Sequence, residues 1–398
     1  MRKKTLRDLP DSAICSRRVL VRLDLNVPVD ESGRVTDDTR IVASLPTLEY
    51  ILSRGGRPVV LSHFGRPKGE PRQKYSLQPV ADVLQARSGH HVVFCETTDT
   101  DEAIKSTHEL RDGDILLLEN TRFLPGEERN DDALARTFGE LGDIFVNDAF
   151  GAAHRAHAST AGVAKYVHPS VAGLLMQREL EFMGGALADP VHPFVAVLGG
   201  SKVSGKIDVI RALLPKVDAL LIGGAMACTF FKAMGYEVGQ SLVEQDRVDL
   251  ARELIETSGT RLTLPHDAVV AGSIDDKATL QVVKRDVIPA DKAMYDIGPS
   301  TAQSYSRAIL AAKTVIWNGP MGVFEKPPFD AGTLLIARAM AEATAKGATT
   351  IVGGGDSAAA IAGSEFEGRM SHVSTGGGAS LEFLEGKKLP GVEALDDA

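Results

Sequence analysis

Apolar and polar positions along this chain fall into two alternating regimes. Short, often β-branched apolar runs end in glycine or in charged groups, and the stretches between them carry apolar residues at helical spacing. Val19-Leu20-Val21-Arg22-Leu23-Asp24-Leu25-Asn26-Val27-Pro28 begins as a buried-type strand. It then alternates, placing Arg22, Asp24 and Asn26 on one face of a strand closed by Pro28. A helical pattern follows at Ile41, Leu45, Leu48, Ile51 and Leu52, with Arg40 at its start. Three further runs repeat the design. Residues 58–62 lead into His63-Phe64-Gly65-Arg66-Pro67, 115–120 are followed by Arg122, and 144–148 lead to His154-Arg155-Ala156-His157. Ligands of open α/β sheets gather at strand carboxyl ends. If these four strands are neighbours, their basic groups form one anion pocket. Otherwise they are unrelated surface charges. His154 and His157, one helical turn apart, offer a metal pair as an alternative, but no third ligand is evident.

Residues 174–183 read as a helix ended by Gly184-Gly185, with Asp189-Pro190 beyond. The pattern changes there, which marks a domain boundary and a candidate hinge. In the second half, apolar strands repeatedly end in glycines. Residues 194–198 precede Gly199-Gly200, 219–222 precede Gly223-Gly224, and 314–318 precede Gly319. Residues 349–352 precede Gly353-Gly354-Gly355-Asp356-Ser357, with a helix from Ala358. A last run, Gly376-Gly377-Gly378, opens a helix through Leu381, Phe383 and Leu384. One such turn is ordinary. Five together form a rim of backbone donors suited to a polyphosphate, and Asp356 stands where a carboxylate could hold Mg²⁺ beside it. Lys202 and Lys206, four apart at a predicted helix start, would share a face and neutralise phosphate oxygens. Ile207 occupies the position where a P-loop needs Ser or Thr, so that motif is rejected. Trp317, the only tryptophan, reads as core, and Glu325 could accept bonds from a ribose.

Composition narrows the classes. The 398 residues suggest two or three domains, and 43% hydrophobic content supplies large cores. A net charge of −9 argues against general nucleic-acid binding. Cys15, Cys95 and Cys228 are too dispersed for a disulfide framework. No apolar run nears bilayer length and no h-region follows the basic N-terminus, so a cytoplasmic protein without a membrane or nucleic-acid partner is expected.

These motifs together resemble the phosphoglycerate kinase family along essentially the whole chain. The resemblance rests on the Arg22–Pro28 stretch, His63-Phe64-Gly65-Arg66-Pro67 and His154-Arg155-Ala156-His157. It rests also on Lys202-Val203-Ser204-Gly205-Lys206-Ile207, the stretch Trp317 to Glu325, and Gly353-Gly354-Gly355-Asp356-Ser357. It implies an α/β fold of two Rossmann-like three-layer domains, with parallel sheets facing a central cleft and an interdomain helix between them. The implied bounds are 1–173 for a 3-phosphoglycerate domain, 174–186 for the helix and 187–383 for a nucleotide domain, with 384–398 returning to the first. It implies a monomer that interconverts 1,3-bisphosphoglycerate and MgADP with 3-phosphoglycerate and MgATP. By resemblance, Asp24, Asn26, Arg40, His63, Arg66, Arg122 and Arg155 bind 3-phosphoglycerate. Lys206, Glu325, Gly354, Gly355, Asp356 and Ser357 contact ADP or ATP, lined by Gly199, Gly200, Gly223 and Gly224, and Asp356 holds Mg²⁺. Arg40, Lys202, Lys206 and the N–H groups of Gly376, Gly377 and Gly378 serve the transferred group. Ser201, Gly205 and Phe64 depart from the family's commoner alanine, aspartate and leucine without removing a chemical group. Another small-molecule kinase and a silent binding protein on the same architecture are the competing classes, and turnover with a panel of acids separates them.

Overall fold

The computed structural model describes residues 2–398. It divides into two compact units. One takes the chain up to Glu181 together with Lys388–Ala398, and the other is Phe182–Lys387.

In the first unit β1 (Arg18–Arg22), β2 (Arg57–Leu61), β3 (Val92–Cys95), β4 (Ile115–Leu118), β5 (Ile144–Asn147) and β6 (Ser170–Ala172) form a parallel sheet in the order β3-β4-β2-β1-β5-β6. β4 and β5 are buried at every position, which is why they read as apolar runs, broken only by Asn147 at the end of β5, rather than as alternations. Ile41, Leu48 and Ile51 from helix Thr39–Leu52 and Val80 and Leu84 from helix Gln78–Ser88 pack with Val19, Val21, Val60, Leu117 and Val146. Each such side chain, wholly removed from water, contributes roughly 1.5–3 kcal/mol. The four strands that carry basic groups, β4, β2, β1 and β5, are consecutive neighbours.

β1 stops at Arg22, not at Pro28. Leu23 N–H still reaches Leu61 O, but Val27 N–H turns back to Leu25 O, and that tight turn takes the chain out of the sheet. Arg22, Asp24 and Asn26 therefore do not share a strand face, and Arg22 is wholly interior. The last residues complete this unit. Asp396 N–H bonds Ser170 O, Lys4 N–H bonds Asp396 O, and Gly391 O accepts from Asn147 Nδ2 at 2.9 Å. The return begins at Lys388.

Helix Leu174–Ala188 carries the chain into the second unit and runs through Gly184-Gly185, where an end was expected. Neither glycine takes the left-handed conformation of a helix stop, and the helix ends only before Asp189-Pro190. The second unit holds β7 (Phe194–Leu198), β8 (Ala219–Ile222), β9 (Leu262–Thr263), β10 (Asp267–Ala271), β11 (Gln281–Lys284), β12 (Ala293–Ile297), β13 (Thr314–Asn318), β14 (Thr349–Gly353) and β15 (His372–Val373). A parallel sheet runs β15-β14-β13-β7-β8-β9, and β11-β10-β12 form a small antiparallel sheet that the sequence pattern did not announce. The five glycine-ended strands are again consecutive, from β15 to β8. Trp317 is fully buried, and its indole N–H bonds Gly319 O at 2.8 Å.

Candidate active site

In the first unit the basic groups sit at the carboxyl ends of β4, β2, β1 and β5. Arg40, in the first turn of its helix, donates to Asp24 Oδ1 at 3.1 Å and to Asn26 O at 3.0 Å. Asn26 Oδ1 accepts from Gly65 N–H at 2.8 Å, and Arg122 donates to Gly65 O at 2.8 Å. Arg122 Nε also lies 3.2 Å from Glu128. Arg66 is exposed, and half-buried Arg155 donates to His154 Nε2 at 3.1 Å. His63 is buried with its Nδ1 3.1 Å from an Arg22 nitrogen. The named arginines outnumber the nearby carboxylates Asp24, Glu127 and Glu128, so the rim carries excess positive charge.

That charge governs the histidines. Burial and then Arg22, Arg122 and Arg40 push His63 well below its ordinary value, so it is neutral. Burial and the same field take His157 down to about 3. Neither is a cation at neutral pH, and among the described residues no group of three His, Cys, Asp or Glu could hold a metal. The histidine-pair alternative is not supported. Of these two histidines and the named arginines, only the arginines carry charge there.

The loop bearing His63 and Arg66 is held by a residue the sequence pattern did not single out. Asn120, fully buried, accepts from Phe64 N–H and Arg122 N–H and donates to Phe64 O and Tyr75 O. One amide thus ties both ends of that loop to the carboxyl end of β4.

In the second unit the strand ends enclose a cavity of 320 Å³. It is lined by Gly199, Gly200, Ser201, Lys202, Gly205, Lys206, Asn318, Gly319, Gly354, Gly355, Asp356, Ser357, Gly377, Gly378 and Leu381. Its floor is made of interlocked loops. Gly199 N–H bonds Asn318 O, Gly200 N–H bonds Pro320 O, and Gly224 N–H bonds Met321 O. A Cβ on Gly199 would collide with Pro320 O, and one on Gly319 (φ +96°) with Gly199 O. Gly223 and Gly224 belong to this packing, against Met321 and Gly200, and lie outside the lining. Gly376 and Glu325 are outside it too, and Glu325 is exposed.

Helix Ile207–Leu213 begins after Lys206, which is its N-cap. Lys202 stands in the loop before it, so the two lysines do not share a helix face; the glycine-flanked loop supplies both to the cavity instead. Lys206 Nζ donates to Asn318 Oδ1, and burial lowers it to about 8 against the pull of Asp356 and Glu385. Asn318 is 1% exposed, and its Nδ2 has no partner. A buried, unsatisfied donor on a cavity wall is costly unless an anionic or carbonyl ligand meets it. Helix Gly355–Ile361 starts earlier than expected, so Asp356 and Ser357 lie in its first turn, where N–H groups lack intrahelical partners. Ser357 Oγ, buried, accepts Gly319 N–H at 2.6 Å and joins the β13 and β14 loops. Asp356 is exposed. One carboxylate beside phosphate-binding donors suits Mg²⁺, which keeps most of its shell as water and phosphate oxygen.

The comparisons with known proteins point to one family. The family model for phosphoglycerate kinase matches residues 9–387. The chain is 55% identical over 403 residues to the phosphoglycerate kinase of Chloroflexus aurantiacus and 52% identical over 400 residues to that of Pelodictyon phaeoclathratiforme, covering 100% of each chain. Among solved structures it resembles phosphoglycerate kinase from Coxiella burnetii, with a TM-score of 0.88 at 41% identity over 98% of both chains. It also resembles the Pyrococcus horikoshii enzyme, at 0.86 and 31% over 98% of both. Similarity of this extent, in sequence and in fold alike, assigns the chain to the phosphoglycerate kinase family.

Proposed function

We propose that the chain is a glycolytic phosphotransferase that moves a phosphoryl group reversibly between the acyl phosphate of 1,3-bisphosphoglycerate and MgADP, giving 3-phosphoglycerate and MgATP. The observation that carries this reading is the convergence of four adjacent strand ends, those of β15, β14, β13 and β7, on one cavity. That cavity is walled by backbone donors, two lysines and a single carboxylate. The basic rim of the other unit is the matching site for a small, multiply anionic acid.

In this reading Asp24, Asn26, Arg40, His63, Arg66, Arg122 and Arg155 bind 3-phosphoglycerate. Arginines fix carboxylate and phosphate through paired donors, and neutral His63 adds a directional one. Lys206, Gly354, Gly355, Asp356 and Ser357 hold the nucleotide phosphates over Gly199 and Gly200. Glu325, Gly223 and Gly224 belong to the part of the site nearer the nucleoside. Asp356 would hold the Mg²⁺ that, when bound, offsets phosphate charge. An in-line transfer spreads negative charge over the equatorial oxygens, so it calls for cations and N–H donors rather than a protein nucleophile. Arg40, Lys202, Lys206 and the N–H groups of Gly376, Gly377 and Gly378 take that task. The acceptor is already a carboxylate, so no general base is required. The two substrates bind to different units, and hinge bending that brings them into line and excludes water completes the mechanism. We assign the chain to the cytoplasm as a monomer. The free thiols of Cys15, Cys95 and Cys228 support a reducing compartment, and no helix among the described residues is long and apolar enough to cross a membrane.

The test is consumption of MgATP that depends on 3-phosphoglycerate, coupled to reduction of the bisphosphoglycerate by a dehydrogenase. Arg40→Ala and Asp356→Ala are each expected to lower turnover by about 10²-fold or more. A folded protein that binds MgATP yet gives no turnover would overturn the acceptor assignment.

A further inference from the structure

A buried chain of polar groups lies behind the basic rim. Arg22, the last residue of β1, is 0% exposed, yet it is an arginine at the end of the apolar run Val19-Leu20-Val21. A leucine there would satisfy the core at lower cost, because a buried guanidinium is expensive unless fully paired. Each of the three guanidinium nitrogens of Arg22 has a partner. Its Nε donates to Ser159 Oγ at 2.8 Å, one terminal nitrogen to Leu23 O, and the other to His63 Nδ1 at 3.1 Å. Ser159 passes its own hydroxyl proton to Glu127 Oε1 at 2.5 Å and its N–H to Glu127 Oε2 at 3.0 Å. Thr121 Oγ1 also donates to Glu127 at 3.1 Å. Glu127 and Ser159 are likewise 0% exposed. The buried carboxylate thus balances the buried guanidinium through a shared hydroxyl.

The line ends on His63, and its direction is fixed by chemistry. A guanidinium can only donate. The nitrogen it meets, Nδ1, must therefore be bare, and the ring proton must sit on Nε2. The charged and titratable groups facing the ring are Arg22, Asp24 at 4.0 Å, Arg122, Arg40 and His157. All but Asp24 are cations or neutral histidine, so burial and three arginines oppose a second ring proton against the one carboxylate.

We propose that Arg22, held by Ser159 and Glu127, is a positioning residue that locks His63 as a neutral Nε2–H donor toward the bound acid, without touching that acid itself. The proposal rests on the reading above that the rim binds 3-phosphoglycerate. It separates two jobs that composition alone merges, since arginines on the rim hold charge while the interior one sets the orientation and tautomer of a neighbour.

The experiment uses the full chain with ¹⁵N-labelled histidine, the His63 signals being identified by their loss in His63→Gln. The wild type is expected to show only the Nε2–H tautomer, with no titration between about pH 5.5 and 8.5. Arg22→Lys retains the charge but loses the fork, and Ser159→Ala cuts the link to Glu127 with a minimal change of volume. In both, the ring is expected to sample the second tautomer or to titrate, and the dissociation constant of 3-phosphoglycerate to rise roughly tenfold. That of MgADP should stay within about twofold. A merely structural arginine would not move the tautomer. A wild-type ring protonated on Nδ1 or titrating in this range overturns the proposal, as does unchanged 3-phosphoglycerate affinity in both variants. A wild type with the expected tautomer that binds no 3-phosphoglycerate overturns the functional reading and the relay's purpose with it. A wrong tautomer in a protein that does bind the acid overturns the relay alone.

Discussion

Lys206 carries a charge that is conditional on pH. Its ammonium sits against Asn318 in a largely desolvated position, and burial brings it to about 8, with Asp356 and Glu385 resisting. The sign follows directly. Below that value the side chain is protonated and attracts phosphate oxygens. Above it the free protein loses the charge before the ligand arrives, so each further pH unit weakens nucleotide binding by up to about tenfold. Calorimetric titration with MgADP between about pH 7 and pH 9.5 is expected to show this alkaline fall. Lys206→Arg, which stays protonated throughout, should flatten it. A fall that persists unchanged in the arginine variant would assign the titration to another group. Residue identity alone could not have told this story, because a lysine near a glycine turn is equally a solvated one. The distinguishing partner, Asn318, lies far away in sequence, at the end of an apolar strand.

Among the elements, the loops after β7, β8 and β13 behave as one interlocked piece, and the glycines in them divide into two kinds. Gly199 and Gly319 face each other's backbone, whereas Gly205 meets nothing within 4 Å. Gly319→Ala must push the β7 loop aside and hold a left-handed φ, so a loss of about 2 kcal/mol or more in chemical denaturation is expected, with nucleotide affinity falling alongside. Gly205→Ala should leave the denaturation midpoint unchanged. Equal effects would refute the distinction. The strands themselves were legible because parallel strands buried on both faces write continuous apolar runs, as 115–118 and 194–198 do. The small antiparallel sheet was not, since its edge strand β11 is largely exposed and shows no apolar run. The pattern also carried β1 too far, because alternation at Asp24 and Asn26 imitates a strand while backbone bonds turn the chain away. It ended the helix at Gly184-Gly185, where glycine is only a tolerated weak helix former. Of the site, the basic and glycine clusters could be read from their places after strands. Asn120, Glu127 and Ser159 could not, because each works through partners at long sequence separation.

On the scale of the whole molecule, the first unit is assembled from both ends of the described chain, and the second is inserted between them. The tail from Lys388 supplies Gly391 O to Asn147 and Asp396 to Ser170, next to the strands that carry the basic rim. Removing residues 388–398 is therefore expected to lower the unfolding temperature of the first unit by several degrees while leaving MgADP affinity within about twofold. Scanning calorimetry and calorimetric titration read these separately, and a parallel loss of both would contradict the division. The insertion also imposes an order in time. During synthesis, Asn147 emerges from the ribosome long before Gly391, so the segment made first must wait with an unfinished edge. The segment made later can close upon itself as soon as it is out. A chain halted once the second unit is out but before Gly391 would hold a folded second unit and an incomplete first one, a species open to chaperones and proteases.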